Sequence, residues 1–65
     1  MTVREILEST VPYMKFRLSH INKITHEIII VDEEDAGIVW EKEKDYFDFE
    51  IVNLNITPKA IFITI

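Results

Sequence analysis

The sequence predicts an α+β fold: a short N-terminal helix packed on a sheet of four or five antiparallel strands. Three stretches carry that expectation. Thr2-Val3-Arg4-Glu5 spells a helix cap. Tyr13 to His20 alternates apolar and polar side chains, the period of a half-buried strand. Phe49 to Ile65 reads as a β-hairpin around Thr57-Pro58-Lys59-Ala60, because Pro58 fixes φ and cannot donate to a ladder.

In the helix, Thr2 is placed to accept from the Glu5 backbone N–H while the Glu5 carboxylate reaches back to the Thr2 N–H. Met1 and Ile6 occupy the two positions of a hydrophobic staple, and Arg4 and Glu8 form an i,i+4 pair. Pro12 keeps Val11 out of the α region, so the helix ends near Ser9 or Thr10. Two turns do not persist alone in water, so this helix must pack on the sheet. In the first strand, Met14, Phe16 and Leu18 face one way and Tyr13, Lys15, Arg17 and Ser19 the other. Ile21-Asn22-Lys23 is a tight connection to a second strand, Ile24 to Val31. Its run Ile28-Ile29-Ile30-Val31 suits a strand covered on both faces, or one that meets a partner.

Asp32 to Gly37 reads as a solvated turn, with Gly37 free to take positive φ at little cost. Ile38 to Glu41 reads as a third strand. That strand cannot run unbroken into Phe47, Phe49 and Ile51, since Glu41, Glu43 and Asp45 would then share the core-facing side. A turn or bulge near Lys44 is required. The apolar parity flips again at Ile51-Val52, which marks a bulge or strand break. In the closing hairpin, Val52, Leu54 and Ile56 of one arm and Ile61, Ile63 and Ile65 of the other point to the core. No internal repeat or low-complexity linker interrupts the chain.

The 65 residues make one domain, residues 1–65. A chain this short buries only about 60% of its unfolded surface, and small scaffolds usually add disulfides, metal or oligomerisation. With no Cys, disulfides and thiolate metal sites are excluded, and oligomerisation remains. No apolar run approaches the ~20 residues needed to span a bilayer, and the N-terminus lacks a secretory pattern. The expectation is a cytoplasmic protein with no membrane contact.

The net charge of −5 is unevenly placed. Residues 27–50 carry Glu27, Asp32, Glu33, Glu34, Asp35, Glu41, Glu43, Asp45, Asp48 and Glu50 against Lys42 and Lys44. Direct nucleic-acid binding needs the opposite bias, so it is not expected. Alternate strand residues lie about 6.5–7 Å apart, comparable to successive phosphates on a nucleic-acid strand. Glu41, Glu43, Asp45, Asp48 and Glu50 at that interval would imitate such a backbone, with Trp40 as an aromatic anchor. Charge kept away from zero for solubility explains the same residues.

Other chemistry is weaker. His20, His26 and Glu27 read as exposed hairpin residues rather than Zn²⁺ or Ni²⁺ ligands. Asp32 to Glu43 counts like a Ca²⁺ loop, with Gly37 in the sixth place and Glu43 in the twelfth, but it lacks flanking helices. Asp45, Asp48 and Glu50 have no nucleophile or His partner for acid–base work. No catalytic residue, metal ligand or cofactor is expected.

The opening Thr2-Val3-Arg4-Glu5-Ile6-Leu7-Glu8, followed by a strand and a closing aliphatic hairpin, resembles small phage and prophage accessory proteins, whose N-terminal helices read Thr-Val-x-Glu-Leu-Leu. Only these first residues resemble a motif, and no active-site residue is carried over. The resemblance implies an early or accessory protein, in some cases an inhibitor of host defence.

The expected function is that of a small, acidic, non-enzymatic binding protein that masks a host protein, such as a basic nucleic-acid-binding one. The rival is a self-associating accessory protein with an inter-subunit pocket for a small ligand such as a nucleotide signal. A homodimer is expected because one short helix cannot cover both faces of the sheet, and Phe62 and Ile29 are its candidate contacts.

Overall fold

The computed structural model describes residues 1–65. Two short helices, a 3₁₀ turn and four strands follow one another as α1 (Val3–Glu8), β1 (Lys15–Ile21), β2 (Ile28–Asp35), α2 (Ala36–Lys42), the 3₁₀ turn Lys44–Tyr46, β3 (Asn53–Ile56) and β4 (Ala60–Thr64). The fold is α+β, as the sequence predicts. The sheet, in the order β2-β1-β4-β3, is mixed rather than antiparallel. β1 pairs with β2 and β3 with β4 antiparallel, but β1 and β4 run parallel.

α1 carries the expected cap. The Thr2 hydroxyl accepts from the Glu5 N–H at 3.4 Å, and the Glu5 carboxylate accepts from the Thr2 N–H at 3.0 Å. Two further helix N–H groups are taken by a distant segment: Val3 donates to the Phe49 carbonyl and Arg4 to the Phe47 carbonyl. These bonds satisfy donors that a six-residue helix would otherwise leave orphaned. Val3 and Leu7 are buried, while Met1, half of the expected staple, is exposed. Arg4 pairs with Asp48 at 3.2 Å instead of Glu8.

β1 starts two residues later than expected and leaves Tyr13 exposed. The expected alternation holds within it: Phe16 and Leu18 are fully buried. The connection to β2 is wider than Ile21–Lys23. Asn22 organises it by accepting the Ile24 and Thr25 N–H groups on its side-chain oxygen, a local Asx turn. His26, at φ 62°, takes the left-handed conformation there. β2 therefore begins at Ile28 and runs on through Asp32 to Asp35, the stretch expected to be a solvated turn. An irregularity opposite Leu18/Ser19 shifts the register and leaves Val31 as the extra residue. The acids are held in the strand by cross-strand cations: Lys15 pairs with Asp35 at 3.8 Å, and Arg17 pairs with Glu33.

The expected third strand, Ile38 to Glu41, is instead α2. Ala36, Val39 and Trp40 fall at the i, i+3, i+4 spacing of one helical face, and Ala36 and Val39 are buried on it. The run Glu41-Lys42-Glu43-Lys44 holds good helix formers with poor strand preference. Gly37 does not use positive φ. It is needed for close approach, since its N–H donates to the Pro12 carbonyl at 2.9 Å and a Cβ would meet the Pro12 Cβ at 3.1 Å. The break required near Lys44 is the 3₁₀ turn. Around Ile51-Val52 the chain lies outside the strands, between an isolated Thr2–Glu50 bridge and Asn53.

The closing hairpin forms as expected, with Leu54 opposite Ile63 and Ile56 opposite Ile61. Thr57 ties its turn, accepting the Ala60 N–H on its hydroxyl at 2.9 Å. Ile61, Ile63 and Ile65 are buried, but Val52 and Ile56 are exposed because no helix reaches that far over β3. The core gathers Val3, Leu7, Phe16, Leu18, Ala36, Val39, Phe47, Ile61, Ile63 and Ile65 on one side of the sheet.

Thr2→Ala is expected to cost about 0.5–2 kcal/mol, seen as a lower urea midpoint; coincident midpoints would show that the box contributes nothing. The Thr2 backbone and hydroxyl hydrogen bonds hold the Glu5 carboxyl below its ordinary pKa. Its contribution is therefore complete above the ordinary carboxylate range and disappears as pH falls through the lowered value. Glu5→Gln is expected to flatten that acid limb of stability. Leu18→Ala, at a fully buried site beside β4, is expected to lose about 2–5 kcal/mol in the same unfolding assay.

Candidate protein-binding surface

α2 ends in a small aromatic cluster. Trp40 is half-buried and lies 4.7 Å, centroid to centroid, from Phe47 at a 34° tilt. Tyr46 packs 5.4 Å from Phe49, which meets His20 edge-on at 6.4 Å. Arg4 stands over the other side of this group, 5.3 Å from the Phe47 ring. The exposed edge of Trp40 lines an open cleft of ≈ 270 Å³ with Leu7, Thr10, Pro12, Ala36, Gly37 and Glu41. Trp40 and Glu41 were expected from the sequence, whereas Leu7, Thr10, Pro12, Ala36 and Gly37 were not. Their signal was the only Gly of the chain, which lets α2 close against Pro12.

The five acids expected on one strand do not form a ladder. Glu41 lies in the last turn of α2, Glu43 caps it, Asp45 is in the 3₁₀ turn, Asp48 follows that turn, and Glu50 forms the bridge to Thr2. A strand repeat of phosphate-like spacing is absent because Ala36–Lys42 is helical. The acids also divide by partner. Asp48 accepts from Arg4, and Glu50 accepts from the Met1 amino group at 2.9 Å. That contact raises the amino pKa above its ordinary value, the hydrogen bond to Glu50 being the main cause. Glu41, Glu43 and Asp45 have no cation within ion-pair distance, and Glu41 sits on the rim of the Trp40 cleft.

Asp32 is set apart from these. Its side chain is 9% exposed and reaches Lys42 Nζ at 3.4 Å, tying α2 down onto β2. The Ca²⁺-loop count across Asp32–Glu43 thus falls on a strand and a helix. No group of three His, Cys, Asp or Glu side chains is arranged to hold a metal ion.

Phe62 and Ile29, the candidate dimer contacts, do not share a surface. The register places Phe62 beside Arg17 on the sheet face that no helix covers, while Ile29 pairs with His20 on the helix side. Phe62 is half-buried, with the Arg17 guanidinium 4.9 Å above its ring. Around Phe62 that face carries the Lys15–Asp35 and Arg17–Glu33 pairs. Ile28 and Ile30 lie on it at the β2 edge and were not distinguished from Ile29 in the sequence, because a continuous apolar run hides its own register.

A second cleft, ≈ 310 Å³, opens on the other side of the α1–β1 loop between Ile6, Val11, Met14, Ile56 and Ile61. It carries no charged group. No helix of the chain is long and apolar enough to cross a membrane.

No protein-family model, curated protein or solved structure matches the chain. The functional reading rests on the side chains just described.

Proposed function

We propose that the chain is a small acidic binding protein, without catalysis of its own, that masks a basic surface of a protein partner. One observation carries this reading: the cleft beside Trp40 has Glu41 on its rim, and Glu41 and the two acids that follow it along the chain, Glu43 and Asp45, have no cation of the chain within ion-pair distance. The cleft is of a size to take one apolar anchor side chain, and Glu41, Glu43 and Asp45 would meet the Lys or Arg residues around it. Buried anchors within a charged rim are the usual anatomy of a protein contact. Self-neutralised acids such as Asp48 and Glu50 add little to such a contact. The likeness of the first eight residues to small phage accessory proteins supports a host partner and an inhibitory outcome.

The test is capture from a bacterial lysate with the wild type and with the triple variant Glu41→Lys, Glu43→Lys, Asp45→Lys, followed by titration of the captured protein. Trp40 is the only Trp, so its fluorescence reports occupancy of the cleft directly. Affinity is expected to fall at least tenfold in the triple variant. It is also expected to weaken with salt, since exposed charges are screened beyond about 8–10 Å at physiological ionic strength. Unchanged affinity in the triple variant, or no change in Trp40 emission on binding, would remove this reading.

A further inference from the structure

The two edges of the sheet are built differently. β3 is four residues long, carries Asn53 and Asn55, and is followed by Pro58 and Lys59 in the turn. These are ordinary devices that keep an edge from pairing. β2 is eight residues long and has no Lys or Pro. At its N-terminal end Ile28, Ile29 and Ile30 are 61%, 61% and 54% exposed. The register irregularity that would blunt it lies beyond them.

The hydrogen bonding of the β1–β2 ladder fixes which groups on this edge are free. The Asn22 N–H donates to the Glu27 carbonyl at 2.8 Å, directly across the hairpin. In an antiparallel ladder, bonded and non-bonded pairs alternate. The pairs Ile21–Ile28 and Ser19–Ile30 are therefore non-bonded, and the N–H and C=O of Ile28 and Ile30 point away from β1.

We propose that two copies of the chain pair through these groups, β2 against β2, antiparallel about a two-fold axis at Ile29. In that register Ile28 of each copy bonds to Ile30 of the other. Ile29 faces its own counterpart on the helix side, and the Ile28–Ile30 pairs lie on the opposite face. Every isoleucine of the edge then packs on an isoleucine. The charges favour the same arrangement. The acidic half of each β2 then runs toward the turn that precedes β2 in the other copy, where Lys23 and His26 stand with one acid, Glu27, rather than alongside the other acidic half. A parallel pairing would align Asp32-Glu33-Glu34-Asp35 with itself. The contact leaves the Trp40 cleft free and stands independently of the masking reading.

The chain has no Cys, so single cysteines give a clean test. At a non-bonded antiparallel pair the Cα atoms lie about 4.5 Å apart, within the range a disulfide spans. Ile29→Cys is expected to form a disulfide-linked dimer under mild oxidation. Ile24→Cys is not, although Ile24 is 89% exposed, since it sits in the turn beyond the end of β2 and its counterpart lies at the opposite end of the paired strands. In parallel, wild type in sedimentation equilibrium is expected to show the mass of two chains, and Ile29→Lys that of one, with its circular dichroism retained. The proposal is overturned if Ile24→Cys cross-links as readily as Ile29→Cys, or if wild type has the mass of one chain throughout a dilution series. It is equally overturned if the edge is occupied only by a foreign peptide, seen as Ile29→Cys cross-linking to a lysate protein and never to itself.

Discussion

Phe16 lies beside Ile61 and Leu18 beside Ile63 because β1 and β4 run parallel at the centre of the sheet. This pairing joins residues more than forty positions apart, and every other element is placed by it. The ladder extends past β4, where the Ile65 N–H donates to the Ser19 carbonyl and the Ile21 N–H to the Ile65 carbonyl, both at 2.8 Å. The parallel direction cannot be made by a tight turn. The chain between the two strands must cross the sheet, and it does so as β2, α2, the 3₁₀ turn and β3. α1 then closes the remaining part of the core, held by the Phe47 and Phe49 carbonyls. Removal of bulk at Phe16, Leu18 or Ile63 would therefore act on every part of the molecule at once.

The outcome is a sheet with one dry side and one wet side. The helices cover the face of Phe16, Leu18, Ile61 and Ile63. The other face is spanned by Lys15–Asp35 and Arg17–Glu33, with Phe62 sheltered by Arg17. Long cationic stems cover apolar surface while keeping their charges in water. This arrangement explains why a strand as acidic as β2 is stable beside β1. The longest unbroken run of exposed apolar side chains is the Ile28–Ile30 edge. The unpaired acids Glu41, Glu43 and Asp45 lie elsewhere, at the end of α2 and in the 3₁₀ turn, with Glu41 on the rim of the Trp40 cleft.

Local chemistry was legible in the sequence where it is self-contained. The Thr2/Glu5 box, the alternation of Phe16 and Leu18, the closing hairpin and the required break near Lys44 are each decided within a few residues. What depends on distant partners was not. The parallel direction of β4 leaves no mark on β4 itself, whose alternation is the same in either direction. Asp32–Asp35 looks like a turn until Lys15, Arg17 and Lys42 are placed opposite it. Ile38-Val39-Trp40 has strand-forming residues, and the helical spacing of Ala36, Val39 and Trp40 outweighs them only because α2 has a sheet and Pro12 to close on. Among the candidate site residues, Trp40 and Glu41 are brought to one cleft, whereas Asp48 and Glu50 are consumed by α1.

The position of β4 also has a consequence for synthesis. It is the last strand in chain order, yet it sits between β1 and β3. A ribosome adds about 5–20 residues per second, so roughly one to five seconds separate the completion of β2 from the arrival of β4. Throughout that interval β1 has one bare flank, Phe16 and Leu18 have no isoleucines to pack on, and Ile28–Ile30 are open as well. Loops of this span must close before their contacts repay the entropy. The nascent chain consequently keeps that apolar surface open until β4 is made, and the molecule closes like a clasp, β4 meeting β1 across everything between them, rather than growing steadily along its length.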